Sequence, residues 1–456
     1  MGSVQILGHT MTTGTRPTSK RQSPREQVVI TSGEVFSDGT VIDLVASADI
    51  CRPDLLLWNR QRATVAPRIQ HGGIVYEAPE LRPSIGQAIR FPTEARPSSS
   101  APGLFAEFAG LLQRYLGVED MMARELSLWN GSTWLADVLP SPPPLVISGP
   151  AMAAATTLFN LLSCASRRAL RLAGISRGVL AALPMHLRPT LLINQPDLTR
   201  GMSHLLRACN HRGLCVPGKG GAILDWVGSK AVFLGMDSSA SAWSDVALWV
   251  SLPPARSGLD ILDEPTMTQI AQDFLPRFMG FRLDWLRKAR ESCHPGRRFA
   301  DSDLVHNLLA CVQHEPELIQ SVTPLLYSQG QEATERGMRD PNVAVLEVLW
   351  NPAHQAGELP VKEITEYLNV LLRTRGETYE YTEEEVGRNL RNHGFYRHRK
   401  GSGMVLRFSS DTNQLLHRLV HKRGLDLPPV QGCCHCAKSE SDVPGSSAGY
   451  VGSVGF

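Results

Sequence analysis

The chain has 456 residues, 42% of them hydrophobic and 20% charged, which is enough apolar surface for two to four globular domains. Lysine and arginine (46) exceed aspartate and glutamate (44) by only two, so the chain as a whole is no polycation, although a basic module within it fits that balance. No uninterrupted apolar run of about 18 residues occurs, which argues against a membrane span, and nine irregularly spaced cysteines argue against a disulfide framework.

Residues 1–27 are polar and carry no apolar signal segment, so a disordered lead and a cytoplasmic location are expected. Over 28–100 the short runs "TVIDLV", "DLLLWN", "ATVAPRI" and "GGIVYEA" are separated by Gly, Asp, Asn or Pro, a pattern of small β-rich domains. The stretch "PTEARPSSSAPG", Pro92 to Gly103, has a linker composition. A helical connector is predicted over 101–139, carried by "LFAEFAGLLQRYL" and a second segment through Trp134, and stopped by "LPSPPPL".

From 140 to 256, apolar strand-like runs alternate with helical ones, which predicts a largely parallel sheet covered by helices. A helical region is expected over 257–341, with Pro276 interrupting or kinking its long helix. Over 342–425, three helices and a basic hairpin around Lys400 to Gly403 predict a winged-helix-like module, in which Thr382 and Glu385 form a capping box. The segment 426–456 reads as a flexible tail. Its "GCCHCAK" is a candidate for a soft metal only if a partner adds ligands, because adjacent cysteines rarely complete a tetrahedral set, and no metal is expected. His204, Cys209, His211 and Cys215 are read as parts of the fold, and Lys219 as part of an exposed turn.

The stretch Pro144 to Leu162, "PLVISGPAMAAATTLFNLL", has the outline of a phosphate-binding loop. Such a loop needs glycines so that backbone N–H groups can surround phosphate oxygens, then a lysine, then a hydroxyl for magnesium. Gly149 fits the first glycine, Ala154 takes the second, Ala155 the lysine position and Thr156 the hydroxyl position. Downstream, "RPTLLINQPDLT" places Asn194 and Gln195 where a magnesium aspartate and a water-orienting glutamate would stand. Neither amide is an anionic ligand or a carboxylate base. Asp197 is two residues out of register for that role.

Taken together, "LVISGPAMAAATTLFNLL", "RPTLLINQPDLTRGMSHLLRACNHRG", "GSKAVFLGM" and the basic C-terminal module resemble the P-loop helicase-like ATPases of plasmid, phage and primase systems, including bacterial domains of unknown function grouped with them. The resemblance covers about residues 35 to 425. It implies an α/β fold with a P-loop NTPase (AAA+/RecA-like) core, a helical region and a C-terminal winged-helix-like domain. It puts the family's lysine on Ala155, its magnesium aspartate on Asn194 and its catalytic glutamate on Gln195. The arginine it implies before a late strand has no counterpart, since Ser244 and Asp245 stand there. A pseudo-ATPase is the expected outcome, with no catalytic residue and no cofactor, ATP and magnesium being disfavoured. The alternative is an unconventional ATPase in which Lys219 or a partner's lysine replaces the missing charge.

In the last module Val386 and Leu390 are spaced for burial, leaving Arg388, Asn389, Arg391 and Asn392 for the other faces of a groove-entering helix. Arg397, His398, Arg399, Lys400 and Arg407 then supply phosphate contacts from a wing. DNA is the expected partner, in a homo-oligomer or together with an active ATPase or nuclease. Glu383, Glu384 and Glu385 would repel phosphate nearby, which keeps a protein-only docking role open.

Overall fold

The computed structural model describes residues 27–436 except 98–99, 197, 212–214, 218–222, 226, 236–242, 244–245, 255–256, 294–302, 321, 325, 329–339, 356, 376–379, 402, 423–424, 426, 431–432 and 434–435. The chain divides into two compact units, Met1–Gln87 and Ala88–Phe456. Ser244, Asp245, Asp197 and Lys219 lie outside the described residues.

Among the described residues of the first unit, seven short strands make two sheets. Strands β2 (Glu34–Val35), β3 (Val41–Val45), β4 (Asp54–Trp58) and β5 (Ala63–Ala66) form an antiparallel sheet in sequence order. Strand β1 (Val28–Ile30) runs parallel to β7 (Ile74–Glu77), which pairs antiparallel with β6 (Arg68–His71). All five residues of β3 are buried, so its "VIDLV" is a core strand.

The second unit centres on five parallel strands: β8 (Leu145–Ser148), β9 (Ala169–Leu172), β10 (Thr190–Asn194), β13 (Lys230–Phe233) and β14 (Leu248–Ser251). A small antiparallel hairpin, β11 (Cys215–Pro217) and β12 (Ile223–Asp225), lies in sequence between β10 and β13. The spatial order is β14-β8-β13-β10-β9, every pairing parallel. Strands β8, β10 and β13 are buried almost throughout, as parallel strands covered on both faces must be.

Winding reverses at β8. The connection leaving β8 runs to the far edge at β9, whereas those leaving β9, β10 and β13 step back the other way. Crevices at such switch points, beyond the carboxyl ends of the strands, are where open α/β sheets bind ligands.

The helix Met152–Ala165 follows β8 and buries Ala155, Leu158, Phe159 and Leu162. Its last carbonyl, Ala165 O, accepts from Asn130 Nδ2 (3.3 Å) and Trp134 Nε1 (2.8 Å), so the helix Asp120–Thr133 and its following turn cap it. The helix Glu264–Ser292 runs through Pro276 without a break, so of the two expected effects of this proline, interruption does not occur. The carbonyl of Pro276 accepts from Arg96 N at 2.9 Å, and Gly280 lets the Arg96 backbone approach the helix where a Cβ would collide. Within that helix the fully buried Arg282 donates to Trp134 O (2.5 Å) and to both carboxylate oxygens of Asp137 (2.7 and 2.5 Å).

The C-terminal module packs helices Pro341–Gln355, Val361–Thr374, Glu383–Asn392 and Ser410–Lys422 around one core containing Leu349, Leu368, Leu390 and Leu406. Strands β15 (Glu358–Pro360), β16 (Arg397–Lys400) and β17 (Gly403–Arg407) form its antiparallel sheet in the order β15-β17-β16. Both halves of the Thr382/Glu385 capping box are made, as the sequence predicts. Leu427, Val430 and Cys433 of the segment read as a flexible tail pack against this core, and Cys436 is part of it. The architecture is mixed α/β: a helix-flanked parallel sheet whose strand order resembles an AAA+-like core, a helical region and a C-terminal winged-helix-like module.

Candidate functional site

The end of β8 lies at the switch point, and its residues are engaged with the protein itself. Gly149 has φ 145°, a value that favours glycine, and its N–H donates to Gly235 O at 3.1 Å. A Cβ at Gly149 would stand 2.7 Å from Leu252 O, so this glycine meets a packing demand beside β14. The helix starts at Met152, ahead of Ala154 and Ala155, whose N–H groups both donate to Ala151 O (3.1 and 3.3 Å). Two of the amides that a phosphate cradle would present are thus engaged in the first helical turn. Ala155 is 0% exposed, whereas Met152, 52% exposed, stands in the open at the helix start.

Thr156 and Asn194 are brought together. The Thr156 hydroxyl donates to Met152 O at 2.9 Å and accepts from Asn194 Nδ2 at 3.0 Å. Asn194 Oδ1 is buried without a hydrogen-bond partner among the described residues. Gln195 turns elsewhere: its Oε1 accepts from Ile175 N at 2.7 Å and so holds the loop after β9. The six positions singled out in the sequence thus divide. Gly149, Ala154 and Ala155 shape the turn, Thr156 and Asn194 close it, and Gln195 belongs to a neighbouring loop.

The second candidate surface is the wing. Arg388, Arg391, Arg399, Lys400 and Arg407 are exposed. Arg388 pairs with Glu384 one turn away (3.2 Å), and Lys400 Nζ donates to Glu358 Oε2 at 2.5 Å. That hydrogen bond holds the Glu358 carboxyl below the usual glutamate range, and the nearby charges of His398 and Arg407 add to the effect. Arg397 is only half-exposed. Its guanidinium occupies the space over Gly387 that a Cβ would need, and burial, with the Arg391 charge nearby, pushes its pKa down. Asn389, assigned to an outer face from the sequence, is 9% exposed and faces the interior with Leu390.

A third cluster was not legible in the sequence as a set. Cys433 and Cys436 meet His354 and His417, their ligand atoms all within 4.8 Å of one another. The C-x2-C spacing was the visible half, and the two histidines lie 63 residues apart on different helices. By contrast, Cys209 is buried while His204 and His211 are exposed.

No protein-family model matches the chain, and no curated protein does. Among solved structures it is similar to the NrS-1 C-terminal region in its A form, at 11% identity over 80% of this chain and 95% of that one, with a TM-score of 0.32. A second A-form structure of that region, 305–718, gives 10% identity, 81% and 96% coverage and a TM-score of 0.28. Cdc6p from Pyrobaculum aerophilum gives 12% identity, 66% and 94% coverage and a TM-score of 0.15. No helix among the described residues is long and apolar enough to cross a membrane.

Proposed function

We propose that the chain is a non-catalytic, helicase-like DNA-binding or assembly protein, a pseudo-ATPase acting within a DNA-processing or mobile-element complex. The observation that carries this reading is the hydrogen bond between Asn194 and Thr156. It joins with a neutral contact the two positions that would flank magnesium in a working site, while the adjoining lysine position is a buried alanine. Phosphoryl transfer relies on the lysine charge and on the magnesium-bearing carboxylate, and neither stands here, although Thr156 keeps the hydroxyl. The module that would touch DNA is the wing, through the exposed Arg399 and Arg407 and the neighbouring Arg388 and Arg391.

Purified protein assayed for nucleotide binding and hydrolysis with magnesium, with and without duplex DNA, tests the first half. Steady turnover that survives repurification would overturn the pseudo-ATPase reading and favour a substitute cation. The second half is tested by DNA binding across a salt series. A protein-only docking role is favoured by one observation, the exposed Glu383 and Glu384 at the start of the candidate recognition helix. Absence of DNA binding at low salt would transfer the conclusion to it.

A further inference from the structure

We propose that His354, His417, Cys433 and Cys436 bind one structural zinc ion, which ties the chain after the winged-helix-like module to the module's first and last helices. The inference concerns a site that the DNA reading does not use.

The geometry fits a single centre. Four ligands at zinc–nitrogen and zinc–sulfur bond lengths of about 2.0–2.3 Å stand about 3.3–3.8 Å apart along the edges of a tetrahedron. Here His354 Nε2 and His417 Nε2 are 3.0 Å apart, and Cys433 Sγ is 3.4 Å from His417 Nε2. Cys436 Sγ is 3.8 Å from His354 Nε2 and 4.0 Å from His417 Nε2. A proton on His417 Nε2 cannot serve three such neighbours at once, whereas one cation between them serves all four.

The surroundings prepare the ligands. His354 Nδ1 lies 2.6 Å from Trp350 O, and a carbonyl can only accept, so the Nδ1 proton is committed and Nε2 keeps its lone pair. Val430 N donates to Cys436 Sγ at 3.4 Å, a bond that stabilises a thiolate. The Trp350 ring meets both imidazoles edge-on, with centroids at 4.9 and 4.6 Å, while its Nε1 donates to Pro428 O at 2.9 Å. One buried side chain therefore orients the ligands on two helices and docks the segment carrying the other two. Two thiolates and two imidazoles in a tetrahedral set select zinc among the common divalent ions. Four protein ligands leave no open position, which makes the role structural.

The test is metal analysis of the full chain purified under reducing conditions. The expected result is about one zinc per chain, lost in His417→Gln and in Cys436→Ser and kept in Cys51→Ser. Should the ligand variants fail to fold, cobalt(II) added to chelator-stripped wild type gives the decisive reading. Tetrahedral cobalt bands with thiolate charge-transfer absorption, displaced by zinc, support the site. An octahedral cobalt spectrum, or two thiols missing as a Cys433–Cys436 disulfide with no metal present, overturns it.

Discussion

The Asn194 side-chain amide donates to the Thr156 hydroxyl at 3.0 Å, linking the end of β10 to the first turn of the helix after β8. A double-mutant cycle of Thr156→Val and Asn194→Ala measured by urea unfolding should give a coupling of about 0.5–1.5 kcal/mol. Zero coupling would mean that the contact does not hold the end of β10 to the helix after β8. In the same protein, magnesium with millimolar ATP should leave the melting temperature unchanged, because a ligand raises it only by binding the folded state.

Gly149→Ala should destabilise by at least about 1–3 kcal/mol, through its positive φ and the Cβ forced against Leu252 O. Chemical denaturation reads the loss directly. Gly201→Ala, in a helix where a Cβ would meet open space, is the control and should hold or slightly raise the midpoint, because alanine is the better helix former.

On the wing, the exposed and half-buried arginines should separate. Arg399→Ala with Arg407→Ala should weaken duplex binding and flatten the salt dependence by up to about 1.8 in log–log slope, two phosphate contacts at about 0.9 each. Arg397→Ala should instead lower unfolding stability, because that side chain fills the space over Gly387. Equal salt slopes for wild type and the double variant would remove the wing from the DNA reading.

Glu358 restrains the same surface. Glu358→Gln releases Lys400 and removes a carboxylate from among cations, so duplex affinity at low salt should rise about 2–5-fold, in line with an exposed ion pair. The folded carboxyl lies below its ordinary range, so the pair is intact above the unfolded glutamate pKa and is lost as pH falls through the depressed folded value. The difference between the two proteins should therefore persist from neutral pH down to about pH 5. Anisotropy titrations at several pH values check this.

Where a sequence signal was local, it matched the structure. The buried apolar runs became the parallel strands, and the Thr382/Glu385 spacing became a complete capping box. Pro276 does not break its helix, because its missing N–H removes one helical bond while buried neighbours on both sides keep the helix packed. Asn389 misled, since helical spacing alone does not say how wide the buried stripe is. Gln195 was placed by analogy of position, and its bond to Ile175 N depends on a loop whose path no spacing rule gives. The histidine–cysteine cluster was hidden for a different reason. His354 and His417 meet only because two helices distant in sequence cross beside Trp350.

The burial of Ala155 constrains what can replace it. A lysine there enters a fully packed position, and an aspartate at 194 gives up the amide that donates to Thr156. Each step alone lowers stability before it gains any phosphate affinity. From this sequence, substitutions toward the lysine and the aspartate of a phosphate-binding site begin with a loss of stability, so the packing of the fold itself opposes them.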